Sequence, residues 1–276
     1  TYPRTVVAYR PEKIDNPHRT RMTAGGDQLD YDGETSTNSA SMATIKIHQN
    51  SVLSTPGARY TTTDAGNMYL CSQLREPQFV RFKLRQIPKS IQETYELHKF
   101  VDSTGFVHAK IKGAWYGLKE SGRIANEDLV DHLAKHGYSE SAFTVGLFKH
   151  HTRDISFTLV VDDFGIKWTN KEDLDHLITS LEKKYNMKTD MDSKQYVGIN
   201  LQWDYQQRTL ICSMDDYIDT ALQELQHVTP KQHYNGPSKH NQPVYGAKIQ
   251  YVEEDTTPSL SPDKIKHVQK VIGKFL

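Results

Sequence analysis

Apolar and polar residues alternate with two clear periods along the 276 residues. Met42, Ile45, Gln49 and Val52 recur at helical spacing over residues 41–54, and Pro56-Gly57 ends that helix. Arg59 to Thr63 alternates as a strand that ends at Asp64. Strand-like stretches follow at Phe79 to Leu84 and Phe106 to Ile111, then a helix over 122–136 with Ile124, Leu129 and Leu133 inward. Ile155 to Val161 is strongly β-prone and runs into Asp162-Asp163, and a second β-prone run, Phe164 to Trp168, follows at once. Thr169-Asn170-Lys171-Glu172 has the capping-box pattern and opens the clearest helix, with Leu174, Leu177, Ile178, Leu181 and Tyr185 on one face.

Gln195 to Trp203 and Thr209 to Ser213 read as a hairpin around Asp204-Tyr205-Gln206-Gln207. A short helix is expected over 216–226 and another over 263–275, with a polar, Pro- and His-containing linker at 227–262. Residues 1–40 read as loops around one short strand, Val6 to Tyr9. Helices interleaved with hairpins make the class α+β.

Apolar residues are 36% and charged residues 25% of the chain, which suits a globular protein with a real core. No run of about 18 apolar residues is present, so no membrane span is expected. The start, Thr1-Tyr2-Pro3-Arg4, has neither an apolar signal region nor an initiator Met, as in a piece of a longer polyprotein. Two distant cysteines, Cys71 and Cys212, build no disulfide framework and fit a reducing compartment. His150-His151 lacks the spacing of a metal-ligand motif.

The formal net charge is zero, where nucleic-acid binders are usually basic. Between residues 75 and 123, however, ten Lys and Arg face five Asp and Glu. That excess suits a phosphate track, though by itself a solvated surface of mixed charge explains it as well.

The informative pair is Asp162-Asp163. Neighbouring side chains on a strand point to opposite faces, so both reach one site only at a turn. Crowded carboxylates repel, and a divalent cation relieves the repulsion. Mg²⁺ takes one or two carboxylates plus substrate phosphates. Asp64, from a separate strand, would complete a set able to hold two ions. Asp also favours turns for its own reasons, and Asp215-Asp216 reads as a helix cap.

Five segments, in this order, resemble copia-type retrotransposon reverse transcriptases, the polymerase core of the Pol polyprotein. Arg19-Thr20-Arg21-Met22-Thr23 sits where that family has its fingers segment. Thr63-Asp64-Ala65-Gly66-Asn67-Met68-Tyr69-Leu70 resembles the segment that carries its first metal-binding aspartate. Trp115-Tyr116-Gly117-Leu118-Lys119-Glu120-Ser121-Gly122-Arg123 is similar to the family's YGLKQAPR. Leu159 to Asp163 resembles the double-aspartate motif, and Tyr196-Val197-Gly198-Ile199 the F-L-G-I strand.

The resemblance implies a right-hand polymerase core, with fingers and an antiparallel palm sheet backed by helices over 1–226. Residues 227–276 would be a linker and the truncated start of a thumb or connection. The implied activity is RNA-directed DNA synthesis with two Mg²⁺ ions, or Mn²⁺. Asp64, Asp162 and Asp163 would be catalytic and hold the metal. Tyr69 would be the steric gate under the nucleotide sugar, Arg21 would hold the triphosphate, and Ala65 and Glu120 would border the nucleotide. Lys188 would protonate pyrophosphate, and the hairpin 196–213 would support the primer end. Implied partners are an RNA template, a DNA primer, dNTP and the rest of Pol, including ribonuclease H, in cytoplasmic particles or in the nucleus.

Three positions depart from the family pattern: Val160 replaces an aromatic residue, Gly66 a lysine and Glu120 a glutamine. Gly66 loosens backbone beside a metal ligand, and Glu120 sets a negative charge near a triphosphate. The alternatives are a decayed polymerase that only binds nucleic acid, and an unrelated α+β protein in which Asp162-Asp163 is a plain turn.

Overall fold

The computed structural model describes residues 1–9, 17–227, 246 and 257–275. The chain divides into two compact units, Thr1–Cys212 and Ser213–Leu276.

The first unit begins with an antiparallel ribbon of β1 (Pro3–Tyr9) and β2 (His18–Ala24). Next come α1 (Met42–Ser54), capped where Ser41 Oγ accepts from the Thr44 amide, and β3 (Arg59–Gly66). β4 (Gln73–Lys83) and β5 (Phe106–Gly113) form a second ribbon, with the short α2 (Lys89–Thr94) between them. α3 (Ser121–Ala134) leads to β6 (Tyr138–Ser141), β7 (Thr144–His150), β8 (Ile155–Val160) and β9 (Asp163–Trp168). α4 (Lys171–Glu182), β10 (Asn186–Asp190), β11 (Gln195–Tyr196), β12 (Ile199–Asp204) and β13 (Thr209–Ser213) follow.

Six strands make one antiparallel sheet in the order β10-β3-β9-β8-β7-β6. Its inner strands are covered on both faces, apolar on one and mixed with Thr, Gly and charged residues on the other. On one face Phe157, Leu159, Phe164 and Ile166 pack against Leu129 and Leu133 of α3 and Leu174, Leu177 and Leu181 of α4. On the other, Tyr60 packs with Ile45 and Val52 of α1 and with Tyr196 and Leu201 of β11–β12. Alternation along β3 puts Tyr60, Thr62 and Asp64 on the second face, and along β9 it puts Asp163, Gly165 and Lys167 there. The aspartates therefore stand at the uncovered end of a face whose remainder is packed. Helices and antiparallel sheets together make the fold α+β, as the periodicity predicts.

The second unit contains α5 (Asp215–Glu224) and α6 (Pro262–Phe275). Tyr217 Oη donates to the Lys274 carbonyl at 2.5 Å, and Lys274 Nζ pairs with Glu224 at 2.7 Å. The sequence division at 226 falls after α5, which belongs to this unit. Most of the expected linker, 227–262, lies outside the described residues.

Several elements differ from the periodic reading. β2, β6, β7 and β10 are additional strands, short or polar and therefore weak in period-2 signal. The run Gln195 to Trp203 is not one strand. Val197 (φ 44°) and Gly198 (φ 80°) turn it back on itself, giving the three-stranded sheet β11-β12-β13. Two successive positive φ values are what a type I′ hairpin turn requires.

Candidate active site

The β8–β9 hairpin closes through two residues, Val161 and Asp162, because Val160 pairs directly with Asp163. Val161 has φ 58°, a conformation costly for a β-branched residue. The surrounding sheet imposes it: Asp162 O accepts from the Ala65 amide at 2.9 Å, which ties the turn to the end of β3. Asp64 lies opposite Asp163 in the β3–β9 register, and Lys188 lies opposite Asp64 in β10–β3. A sharp turn and a cross-strand pair thus gather three carboxylates from distant parts of the sequence.

All three aspartates line a cavity of about 790 Å³, together with Arg19, Arg21, Tyr116 and Lys188. Burial raises the Asp163 carboxyl to about 6, and repulsion from Asp162 and Asp64 adds to the shift. Burial also raises Asp162, with Asp64 adding to the shift and Arg21 and Arg19 opposing it.

Arg19 and Arg21 reach this cavity because β2 docks on the 115–118 loop. Ala24 N donates to Tyr116 O at 2.7 Å, and Trp115 Nε1 donates to Met22 O at 2.8 Å. Gly117 (φ 92°) permits the approach: a Cβ there would lie 2.2 Å from Ala24 O. The Arg21 guanidinium sits 4.3 Å from the Tyr116 ring centroid, a cation–π contact. Tyr116 stacks on Tyr69 with centroids 5.0 Å apart. Tyr69 lies on a short 3₁₀ turn that follows Asn67, which takes φ 56°. Burial lifts its hydroxyl pKa, and the Asp162 charge adds to the rise.

On the covered part of the face, Tyr196 Oη bonds the Thr158 hydroxyl at 3.0 Å and its carbonyl at 2.9 Å. Gly165 leaves room for that ring: a Cβ would lie 2.8 Å from it and 2.0 Å from Tyr60 Oη. This anchor sets Val197 and Gly198, at the β11–β12 tip, into the wall of the aspartate cavity.

The structure thus brings Asp64, Asp162, Asp163 and Arg21 to one cavity, with Tyr69 stacked on its Tyr116 wall. Ala65 is buried, facing the opposite core, and meets the site through its amide. Glu120 is 6% exposed at the start of α3, within 3.4 Å of Gln78 Nε2, and does not line this cavity. Gly66 is a regular strand residue paired with Asn186, and alternation turns position 66 toward the cavity. Arg19 and Tyr116 lie within segments that resemble the family, but their sequence context points to no role. Only the docking of β2 on Tyr116 reveals them.

Among the described residues, no group of three or more His, Cys, Asp or Glu side chains is arranged to hold a metal ion. The donor chemistry nonetheless suits one. Hard carboxylate oxygens, two of them charged at the expense of burial and mutual repulsion, favour a divalent cation completed by substrate oxygens.

Residues 98–237, half of the chain, match the family model described as reverse transcriptase (RNA-dependent DNA polymerase). The chain belongs to the reverse transcriptase family. The match includes Asp162, Asp163 and Glu120, while Arg21, Asp64 and Tyr69 precede it. The chain is also 25% identical over 219 residues to a putative transposon Ty5-1 protein of Saccharomyces cerevisiae. That alignment covers 77% of this chain and 62% of the relative. The likeness to retrotransposon reverse transcriptases read from the motifs is borne out.

Solved structures also match in part. An apo telomerase from Candida tropicalis, truncated from the C-terminal domain, is 14% identical, with a TM-score of 0.35 over 63% of this chain and 40% of that one. A telomerase from Candida albicans in complex with a fragment of telomeric RNA is 11% identical, with a TM-score of 0.34 over 59% and 33%. Similarity at that level decides nothing about the fold.

Proposed function

We propose that this reverse transcriptase chain is the RNA-directed DNA polymerase core of a retrotransposon. The observation that carries the reading is the convergence of Asp64, Asp162 and Asp163 on one cavity, with Arg19 and Arg21 across from them. The six-stranded sheet with α3 and α4 is the palm, and the ribbons β1–β2 and β4–β5 are the fingers, within residues 1–226. Residues 227–276 lead into a thumb or connection.

A primer 3′-hydroxyl attacks the α-phosphate of a dNTP, the new phosphodiester bond forms, and pyrophosphate leaves. Asp64, Asp162 and Asp163 would hold Mg²⁺, which when bound neutralises charge that develops at the phosphate and lowers the pKa of the attacking hydroxyl. Arg21, with Arg19 beside it, binds the triphosphate by charge-assisted hydrogen bonds. Tyr69, held flat by Tyr116, supports the sugar and leaves no room for a 2′-hydroxyl. Lys188, opposite Asp64, gives a proton to pyrophosphate. The β11–β12 tip steadies the primer end. Template RNA, primer DNA and the remainder of a Pol polyprotein, ribonuclease H included, are the partners, in cytoplasmic particles or in the nucleus.

A second reading, a decayed polymerase that grips a hybrid without catalysis, draws on Gly66, on Glu120, and on aspartates that form no closed ligand set. Primer extension on an RNA template with a DNA primer, dNTP and Mg²⁺ separates the two. Extension by the wild-type chain that vanishes in Asp162→Asn/Asp163→Asn supports the polymerase. A hybrid bound but never extended supports the decayed form.

A further inference from the structure

A second cavity, of about 470 Å³, lies between one face of α1 and strands β7 to β9. None of its lining residues belongs to the aspartate cavity. Lys167, four residues along β9 from Asp163, is about 13 Å from it at strand spacing. A volume of this size suits a small organic ligand.

Its charge is lopsided. Lys149, Arg153 and Lys167 line it against the single carboxylate of Asp154. Arg153 is already engaged with Asp173 at 2.7 Å, and Asp154 accepts from the Thr169 hydroxyl at 2.8 Å. Lys167 Nζ donates only to neutral groups, Ser51 Oγ at 3.2 Å and Thr55 Oγ1 at 2.9 Å. Among the described residues neither Lys149 nor Lys167 forms an ion pair. A half-buried ammonium with no carboxylate in ion-pair contact is costly, and an anion relieves the cost. Burial holds the Lys167 ammonium below its ordinary pKa; Asp154 opposes that shift and the nearby charge of Lys149 adds to it. Beside these cations, Ile47 of α1 and Leu147 of β7 supply apolar surface.

We propose that this cavity is a second ligand site, for a phosphate ester of nucleotide size, with the phosphate on Lys149 and Lys167 and the apolar body against Ile47 and Leu147. Two sources share that chemistry: a free mononucleotide, and one residue of a single nucleic-acid strand. The site uses no residue of the polymerase centre, so it stands or falls apart from that reading.

The test is equilibrium binding by calorimetry to the full chain in EDTA, with adenosine monophosphate, adenosine, inorganic phosphate and a short single-stranded oligonucleotide as probes. Adenosine and inorganic phosphate should each bind at least about tenfold more weakly than the nucleotide. Lys149→Gln, at an exposed position, should weaken nucleotide or oligonucleotide binding at least about tenfold without disturbing the fold. Lys167→Gln should do the same, although it also removes the bonds to Ser51 and Thr55. Loss confined to the mononucleotide assigns the free ligand, and loss confined to the oligonucleotide assigns the strand. If no probe binds, if Lys149→Gln leaves both affinities unchanged, or if inorganic phosphate binds as tightly as the nucleotide, the proposal is overturned.

Discussion

Replacing Asp163 with Asn should stabilise the metal-free protein while abolishing its chemistry. In the folded chain the Asp163 carboxyl is raised from 3.8 to about 6 by burial and by the Asp162 and Asp64 charges. The native state therefore binds this proton more tightly than the unfolded state. Stability falls as pH rises between about 4 and 6, and the penalty is complete above that window. Two pKa units correspond to about 3 kcal/mol, and because the group is only partly buried, solvent screening reduces this to about 1–2 kcal/mol. Asp163→Asn removes the penalty, so urea unfolding followed by tryptophan fluorescence in EDTA should show a gain of about 1–2 kcal/mol at pH 8 and none at pH 4. Added Mg²⁺ should stabilise the wild-type chain more than the variant. A variant less stable than wild type at pH 8, or equally stabilised at both pH values, would refute the reasoning.

Tyr69→Ala should raise incorporation of ribonucleotides relative to deoxyribonucleotides about tenfold or more, measured by single-nucleotide extension. Glu120→Gln should raise extension several-fold with the fold intact if the nucleotide path reaches beyond the aspartate cavity to this buried side chain; equal rates would show that Glu120 lies off that path. Gly165→Ala should destabilise the first unit by about 1–3 kcal/mol in denaturant unfolding, because its Cβ would meet Tyr60 Oη at 2.0 Å.

The inner strands were legible because the core face writes an alternating apolar pattern in β-branched and aromatic residues, as Ile155, Phe157 and Leu159 do in Ile155 to Val161. Helix α4 was legible from its stripe, although its cap sits one residue later than the capping-box pattern implies: Asn170, not Thr169, accepts from the Glu172 amide. β10 escaped notice because Asn186-Met187-Lys188-Thr189-Asp190 is a short, polar edge strand, yet it sets Lys188 opposite Asp64. The β11–β12 turn escaped because Val197 favours strands by composition and is held at positive φ by its surroundings. The aspartate pair was legible as a turn at the junction of two β-prone runs. Asp64 was legible as a third carboxylate at the end of a separate strand, and the family likeness joined it to the pair; its register opposite Asp163 was not, since nothing local encodes a register between strands so far apart in sequence. The docking of β2 on Tyr116, which aims Arg21, rests on Gly117 tolerating a backbone contact.

The central claim is that Asp64 and the β8–β9 turn form one polymerase centre. Its most direct test is single-turnover primer extension by Asp64→Asn, Asp162→Asn and Asp163→Asn separately, with hybrid binding measured alongside. The account predicts that the wild-type chain extends the primer, and that each single variant binds the hybrid as wild type does and fails to extend it. Extension by Asp64→Asn at the wild-type rate would contradict it.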